Sequence, residues 1–556
     1  MSPTERGPDM PPDEGSPLLQ SRGPTYSGTS DPPVKTKHPD LFIIYATFFG
    51  VFIASIDESL VLSTFSTIAS QFHLLSQGSW LLVAYNFGYC ISLPVYGALS
   101  DSYGRKNVLL VSYILFTLGC FACGASASLT QLVLARVLAG LSGAGMVTLV
   151  SIIIMDLVPP SEVAVYRSYE NVINVIGRSV GAPLGGLLSD TIGWRWSFLG
   201  QIPLIIFCTL VAVYGLPASL NHTEDKNKQP SGKPRRSRLR EIDFAGIITL
   251  SATIILLLFV LQTLGTREED QLVPTWGLVV AFVVSFMVFV LAEVFYATRP
   301  LIPMHLLIRE LGAYCLMQCL LFSGRTAFVS NVVPYFTRVE GESDFAASMM
   351  YVQVAAGVSL GGVVSGYVIK RMRRYKTMSI ISLGITVLSF LLIFLTWRDG
   401  CNIWESFFLF VVGFAPGILF STMFIGMSYS SPKECLSVCI GTYYLCQQLG
   451  TIIGPACGAA LAQRLFKNNL VQHIVDIPDK KTIIKGILND LRFAESLSEP
   501  LQQIVRSSYL KAFQFLPGKS ICSLNRNCSN IVSVFALASS ATVLPLLVFL
   551  KEERVD

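Results

Sequence analysis

The sequence has little charge and few histidines. Only 14% of its 556 residues are Asp, Glu, Lys or Arg and only five are His, whereas 52% are hydrophobic. A soluble domain carries about 25% charged residues, so this composition excludes a set of soluble domains. Apolar runs of about 20 residues, long enough to cross a bilayer, recur between Leu41 and Leu550. Because lipid offers the backbone no hydrogen-bond partners, each run is predicted to be a helix, and about 14 of them make an all-α integral membrane protein.

Other classes of protein are excluded by patterns that the sequence lacks. It contains no glycine-rich phosphate-binding loop, so we predict no nucleotide cofactor and expect an ion gradient to supply the energy. Cys120 and Cys123 have the spacing of a redox or metal motif, but they lie within an apolar run, where small hydrophobic residues are the simpler interpretation. The sequence therefore predicts no catalytic residues and no metal site, and we do not expect an enzyme.

Positive charge is divided unevenly between the short loops on the two sides of the membrane. The linker 218–242 contains seven Lys and Arg residues. The short loops on the other side contain four, namely Arg195, Arg267, Arg338 and Arg398. This asymmetry follows the positive-inside rule and predicts that both termini are cytoplasmic. It also accounts for the net charge of +5, so we predict no nucleic-acid partner.

Changes in composition mark the domain boundaries. The amino-terminal tail is rich in Pro, Ser and Gly and lacks the apolar core of a signal peptide, so we expect it to be disordered. We expect a monomer in the lipid bilayer. The predicted segments are a cytoplasmic tail (1–40), an N-terminal six-helix bundle (41–217), a basic cytoplasmic linker (218–242), an inserted helix pair (243–297), a C-terminal six-helix bundle (298–550) with a long outer loop (465–528), and a cytoplasmic tail (551–556).

Two adjacent acids, Asp57 and Glu58, lie within the first apolar run. A charge facing lipid at the bilayer centre would cost about 2.5–3.5 kcal/mol, so we expect them to face the interior of the bundle. Arg136 in the fourth run lies at a comparable depth, and each charge lowers the cost of burying the other. We predict that these three residues form a proton-coupling site, in which protonation of a carboxylate weakens its attraction to the arginine. A structural ion pair is the alternative, and either acid could carry the proton.

A charged turn separates the second and third apolar runs. Its ends are Gly97 and Lys106, with Asp101, Gly104 and Arg105 between them. Glycine permits a tight turn and close helix approach, and Asp101 can pair with Arg105. The pattern G-x-L-x-D-x-x-G-R-K resembles the signature that major facilitator transporters carry between their second and third spans. The resemblance implies the major facilitator fold, two six-helix bundles around a central cavity, and a role for this turn as a conformational latch.

The fifth apolar run contains Gly177, Gly181, Pro183 and Gly186. Small residues one turn apart let helices pack closely, and Pro183 removes a backbone donor. The segment resembles an antiporter motif of the fourteen-span drug:proton antiporter family, although Ala182 stands between the glycine and the proline. The resemblance implies that this helix takes part in exchange.

Two arginines lie deep in apolar runs and are candidates for the substrate cavity. Arg178 lies within the antiporter-type motif, and Arg325 lies in the second half of the chain. Arg178 could instead pair with Glu58 or Asp57, and Arg325 could form a local ion pair, because a buried cation in a membrane needs compensation.

The amino-terminal tail contains an acidic dileucine pattern. Glu14, Leu18 and Leu19 have the spacing that sorting adaptors read, and they lie in a tail predicted to be cytoplasmic. We predict an adaptor as a partner and favour the vacuolar membrane over the plasma membrane.

Three further stretches resemble fungal vacuolar basic amino acid transporters: Ser55-Ile-Asp-Glu-Ser-Leu-Val61, Leu93-Pro-Val-Tyr-Gly97 and the tail dileucine. The resemblance implies a proton-coupled antiporter that moves basic amino acids into the vacuole by alternating access. Paired acids in a cavity would suit such a cationic substrate. A plasma-membrane efflux pump for drugs, toxins or secondary metabolites has the same motifs and is the first alternative. A non-transporting nutrient sensor on the same fold is the second.

Overall fold

The structure is a computed structural model. Its described ranges contain no β-strand, and eleven of their helices are long and apolar enough to cross a membrane. Two shorter apolar helices and the helix Glu310–Val329 complete the predicted set of about 14, so the chain is a multi-pass all-α membrane protein. The described residues are 41–72, 80–217, 220, 243–264, 275–297, 300–341, 344–372, 374–397, 401, 404–474, 480–489, 497–514 and 535–549.

The first half of the chain provides six spans. The sixth is interrupted at Gly200, so it consists of two consecutive helices. The helices are α1 (Leu41–Gln71), α2 (Trp80–Tyr103), α3 (Arg105–Ala125), α4 (Leu129–Leu157), α5 (Pro160–Thr191), α6 (Trp194–Leu199) and α7 (Gln201–Gly215).

The inserted pair and the second half follow. A π-helix covers Phe336–Glu340, and 3-10 turns cover Glu405–Phe407 and Lys433–Cys435. The α-helices are α8 (Phe244–Leu264), α9 (Thr275–Phe295), α10 (Met304–Leu307), α11 (Glu310–Val329), α12 (Val332–Tyr335), α13 (Asp344–Met372), α14 (Lys376–Thr396), α15 (Phe408–Ser430), α16 (Leu436–His473), α17 (Lys480–Asn489), α18 (Glu499–Gln514) and α19 (Phe535–Phe549).

The two halves pack their helices according to the same plan. In the first half α1 packs on α5, and α4 packs on both α2 and α3. In the second half α11 packs on α16, and α15 packs on both α13 and α14. These helices hold equivalent places in the order of spans, so the halves are pseudo-symmetric, as alternating access around a central site requires.

Glycines allow the same close contact in both halves. A β-carbon on Gly140 of α4 would collide with the backbone of Tyr85 in α2. In the second half a β-carbon on Gly413 of α15 would collide with the backbone of Val354 in α13. Lipid gives helices no hydrophobic drive to associate, so close backbone contact at small residues supplies the packing energy.

Two segments differ from the sequence-based expectations. The fifth apolar run of the sequence predicts a span that begins near Tyr169, but α5 begins nine residues earlier at Pro160, because proline is favoured as the first residue of a helix. The signature segment was predicted as a loop, but α2 continues to Tyr103 and the turn is reduced to Gly104. Its φ of 89° suits glycine, which lets α3 begin at the next residue.

The inserted pair packs beside the contact between the two halves. Its helices α8 and α9 pack on each other, and the hydroxyls of Thr253 and Ser285 lie 3.0 Å apart between them. Helix α8 also contacts α2 of the first half and α16 of the second. On the α2 side, the rings of Phe259 and Trp80 meet edge to face at 5.0 Å.

Two amphipathic helices, α17 and α18, lie within the segment 465–528. Ile484 and Ile487 of α17 are buried, and α18 buries Phe513 against Trp397, with ring centroids 6.1 Å apart. In the sequence, Leu488 and Leu491 recur at helical spacing with these isoleucines and predict one apolar stripe, but both lie outside the side chains that the structure describes. The described stripe covers one end of the second half.

Several contacts between the halves lie near the membrane face that carries the Gly104 turn, which we call the loop face. Helix α5 packs on α13, and α2 packs on α16. Near the loop face, Lys370 forms an ion pair with Glu162 at 2.8 Å. Gly97 lies against the first turn of α16, where an added β-carbon would be 2.5 Å from the carbonyl oxygen of Ser437. In this structure the loop face is therefore closed.

We predict that Gly97→Val separates α2 from α16 at the loop face, because overpacking of a tight contact costs about 1–3 kcal/mol. Hydrogen exchange measured by mass spectrometry should become several-fold faster at the loop-face ends of both helices. Gly384→Val is the matched control, since a β-carbon at Gly384 meets nothing within 4 Å. Equal exchange in the two variants would contradict a close contact at Gly97.

Candidate functional site

Asp57 and Arg136 form the most enclosed ion pair of the described chain. Nη1 of Arg136 lies 2.8 Å from Oδ2 of Asp57, and both side chains are 0% exposed. Gln201 of α7 donates a hydrogen bond of 3.2 Å to the other oxygen of Asp57. The guanidinium also lies over the ring of Tyr85, 4.5 Å from its centroid. The two residues that the sequence paired by depth are therefore in contact, and their role in proton coupling stays a prediction.

Glu58 points to a different partner from its neighbour Asp57. Consecutive residues of a helix are separated by about 100°, so the two acids face different helices. Glu58 pairs with Arg178 of α5 at 2.8 Å, and these side chains are 17% and 27% exposed. Of the two acids considered as partners for Arg178, the structure contains the ion pair with Glu58.

The glycines of the antiporter-type motif bring α5 against α1. A β-carbon on Gly177 would press on Ser55, and one on Gly181 would press on Ile56 and Ser59. This contact holds Arg178 beside Glu58. Pro183 and Gly186 lie further along the same helix, at exposed and half-buried positions.

Arg105 is the centre of the predicted latch at the loop face. It pairs with Asp101 at 2.7 Å and with Asp156 of α4 at 3.0 Å. It also donates a hydrogen bond of 3.1 Å to the hydroxyl of Ser437, which belongs to the second half. Lys106 donates hydrogen bonds to two carbonyl oxygens at the end of α7. These contacts involve four helices of the first half, α2, α3, α4 and α7, and Arg105 connects them to α16. The latch function stays a prediction.

A central cavity of about 690 Å³, counting space open to solvent, lies between the two halves. Helix α5 supplies one wall with charged and amide side chains. The second half supplies the facing wall with aromatic rings and amides. The lining residues are Tyr89, Val147, Arg167, Glu170, Asn171, Asn174, Arg178, Phe322, Phe420, Ser421, Phe424, Tyr443, Tyr444, Gln447 and Gln448.

The polar wall is one stripe of helix α5. Arg167, Asn171, Asn174 and Arg178 follow one another at intervals of three or four residues, and Glu170 lies three residues after Arg167 and four before Asn174. This spacing places all five on one face of an α-helix. At a rise of about 1.5 Å per residue the stripe extends for about 16 Å. Of these residues only Arg178 was predicted to line the cavity, although the regular spacing of the polar residues is visible in the sequence.

Arg167 and Glu170 belong to a buried network that the sequence did not reveal. The two side chains are in contact as an ion pair. Ser151 of α4 donates a hydrogen bond of 2.6 Å to Glu170, and the hydroxyl of Tyr444 in α16 lies 2.8 Å from the Ser151 oxygen. The Arg167 guanidinium stacks over Phe424, 3.8 Å from the ring centroid. The network therefore joins both halves of the protein at the cavity.

Arg325 lies in α11 beside the aromatic wall. Its guanidinium carbon is 5.7 Å from the ring centroid of Phe420, which stacks on Phe322 at 4.3 Å. Its Nε is buried without a hydrogen-bond partner, and within the described ranges no carboxylate forms an ion pair with it. The local ion pair considered as an alternative is thus not found among those residues.

The predicted sorting residues Glu14, Leu18 and Leu19 lie outside the described residues. No group of three or more His, Cys, Asp or Glu side chains in the described ranges could hold a metal ion.

We predict that Asp57→Asn strongly lowers the melting temperature of the purified protein. Removing one partner of a buried pair costs about 3–5 kcal/mol, because Arg136 would remain charged and buried. The double variant with Arg136→Gln should regain part of that loss. Glu162→Gln is the control, since its pair with Lys370 is exposed and worth about 0–1 kcal/mol. Equal melting temperatures for Asp57→Asn and Glu162→Gln would refute a stabilising role.

Comparison with known proteins places this geometry in a family. The chain is 29% identical to the vacuolar membrane amino acid uptake transporter fnx2 of Schizosaccharomyces pombe, over 85% of this chain and 80% of the relative. It is 28% identical to the multidrug resistance protein fnx1 of the same yeast, over 85% and 88%. It is 26% identical to vacuolar basic amino acid transporter 1 of Saccharomyces cerevisiae, over 92% and 96%.

The model of the Major Facilitator Superfamily matches residues 47–455. That match takes in nearly all of the first half, the inserted pair and most of the second half. The chain therefore belongs to the major facilitator superfamily of membrane transporters.

Proposed function

We propose that this transporter exchanges protons for amino acids, with basic amino acids as the favoured substrates, across the membrane of an acidic organelle. Two of the relatives above are named for amino acid transport at the vacuolar membrane. The intramembrane carboxylates support proton coupling, because such groups mark proton pathways in transporters.

The observation that carries this proposal is the mixed chemistry of the central cavity. A free amino acid presents an ammonium group and a carboxylate close together. The α5 wall presents Arg167, Glu170 and Arg178 within one face of a helix, so both ends of such a molecule meet an opposite charge. The facing aromatic wall suits the apolar stem of a long basic side chain and can hold its cation over a ring.

The closed loop face supports alternating access. Arg105, Gly97 and Lys370 each join the first half to the second near that face. Under the predicted topology the loop face is cytoplasmic, so this state receives protons from the opposite, lumenal side. Asp57, Glu58 and Arg136 are the coupling residues that the sequence favours.

A second candidate function is export of organic anions, including drugs and metabolites. Arg325 favours it, because its positive charge has no ion-pair partner within the described ranges and lies beside stacked aromatic rings. An aromatic compound with a carboxylate would satisfy both features. The relative named as a multidrug resistance protein is consistent with such a substrate.

We predict that liposomes containing the purified protein accumulate labelled arginine, lysine or histidine when their interior is acidic. Exit of protons down their gradient would drive the amino acid inward. A protonophore should abolish the accumulation, and empty liposomes are the control. Absence of gradient-driven uptake of all three would refute the amino acid proposal. The same liposomes would then be tested with fluorescent organic anions, whose transport should be lost in Arg325→Gln.

The tail dileucine supports delivery to the vacuolar membrane through an adaptor. We predict that Leu18→Ala together with Leu19→Ala redirects a fluorescent fusion to the plasma membrane, because a receptor-read signal requires both leucines. The control is Leu18→Ile with Leu19→Ile, which keeps apolar side chains there. Unchanged location of the alanine variant would show that the pattern is not a sorting signal.

A further inference from the structure

The hydrogen bonds around Glu170 connect the two halves of the protein through a carboxylate. Tyr444 of the second half contacts the Ser151 hydroxyl at 2.8 Å, and that hydroxyl donates to Glu170 at 2.6 Å. Arg167 donates a hydrogen bond to the same hydroxyl at 2.6 Å and pairs with Glu170. Hydrogen bonds to a charged group are about twice as strong as neutral ones, so the charge of Glu170 strengthens this link.

Glu170 differs from the other buried acids of the first half in its access to the cavity. It is among the residues that line the cavity, although only 3% of its side chain is exposed. Asp57 is 0% exposed, is enclosed by Arg136 and Gln201, and is not a lining residue. Glu58 is paired with Arg178 and is not a lining residue either. Of these three acids Glu170 is therefore the one that lines the cavity, although Glu58 is the more exposed at 17%.

The protonation of Glu170 depends mainly on the groups that directly surround its carboxylate. Arg167 on its own helix is the charge in contact with it, and Tyr444 on α16 is a neighbouring titratable group. Helix α4 contributes Ser151, and α15 contributes the ring of Phe424 beneath Arg167. Other ionised groups on the helices packed around α5 form separate pairs: Asp57 with Arg136, Glu58 with Arg178, Asp156 with Arg105, and Lys370 with Glu162. Arg371 of α13 is exposed, and Arg195 of α6 donates a hydrogen bond to the carbonyl oxygen of Ser126.

We propose that the carboxylate of Glu170 is the site where a proton and the cationic group of the substrate compete. This inference rests on the proposed function for the identity of the substrate, a primary ammonium or a guanidinium. The ionised carboxylate binds that cation, and the protonated carboxyl does not. The proton and the substrate therefore exclude each other. A carrier whose single site holds either one, but never both, exchanges protons for substrate.

The same carboxylate couples binding to the closure of the loop face. When Glu170 takes a proton from the cavity, the chain from Tyr444 through Ser151 loses its charged acceptor, and Arg167 loses its counter-charge. The contact between α16 and the first half weakens, which favours opening of the loop face and release of the proton there. A substrate cation that replaces the proton leaves Glu170 ionised, so Arg167 regains its counter-charge and Ser151 its charged acceptor.

The first test measures binding of labelled arginine to the purified full chain between pH 5 and pH 8. Competition with one proton raises the apparent Kd by up to about tenfold for each pH unit on the acidic side. In Glu170→Gln we expect the Kd to rise at least tenfold at pH 8 and to be independent of pH. Glu499→Gln is the comparison variant: this acid is exposed at the start of α18, outside the cavity, and its removal should keep the pH dependence of the natural protein. If the Kd of Glu170→Gln changes with pH as the Kd of the natural protein does, the proposal is overturned.

A second test needs no amino acid and separates the two proposals. Asn107 and Arg374 are exposed on loop-face segments of different halves, so spin labels attached at cysteines there report closure. We expect the longer-distance population to grow several-fold from pH 8 to pH 5, and to be large at every pH in Glu170→Gln. Tyr444→Phe, which keeps the carboxylate, should retain a pH response with weaker closure.

The outcomes of the two tests are distinguishable. If arginine does not bind the natural protein but the spin-label distances change with pH only when Glu170 is present, the substrate is wrong and the proton site stands. If the distances change with pH equally in Glu170→Gln, Glu170 is not the proton site, whatever the substrate. Should Glu170→Gln fail to fold, Glu170→Asp keeps a carboxylate on a shorter stem and must preserve the pH response; loss of that response would refute the site.

Discussion

The cost of placing a charge in a bilayer constrains the whole first half of this protein. A buried arginine or carboxylate without a partner is expensive, so each one fixes the orientation of the helix that carries it. Asp57 turns α1 toward Arg136 of α4, and Glu58, one residue later, turns the same helix toward Arg178 of α5. Two adjacent acids thus hold α1 against two different helices. The packing glycines of α5 allow the close approach to α1 that the second of these pairs requires.

The ion pairs of the first half also differ in how deeply they are buried and in whether they reach the cavity. The pair of Asp57 is sealed, whereas Arg167 and Glu170 line the cavity and are linked through the Ser151 hydroxyl to Tyr444 of the other half. A sealed pair can hold helices together through every state of the transport cycle. A pair at the boundary between halves changes its surroundings whenever the halves move. Acids that look alike in the sequence therefore differ in their access to the cavity and in their closeness to the other half.

The sequence predicts the architecture and the deep pairs well, and the cavity only in part. Depth along each helix was enough to pair Asp57 with Arg136, because few other charges lie within those runs. Glu170 was not predicted because the first residues of α5 are polar, and hydropathy alone assigns such residues to a loop. The aromatic wall was missed for a different reason. A phenylalanine such as Phe420 in an apolar helix can face lipid or cavity, and only the packing of the other half decides which.

The position of the inserted pair has a mechanical consequence. Helix α8 contacts α2 of the first half and α16 of the second, so it bridges the seam along which the halves must rotate. When the seam opens, α8 can follow one half and must slide against the other. The edge-to-face contact of Phe259 with Trp80 favours attachment to α2, which leaves the α16 side as the sliding surface. The inserted helix pair then stays between this seam and the lipid while the halves move. A molecule dissolved in the bilayer would therefore have to enter along α5 and α13 instead.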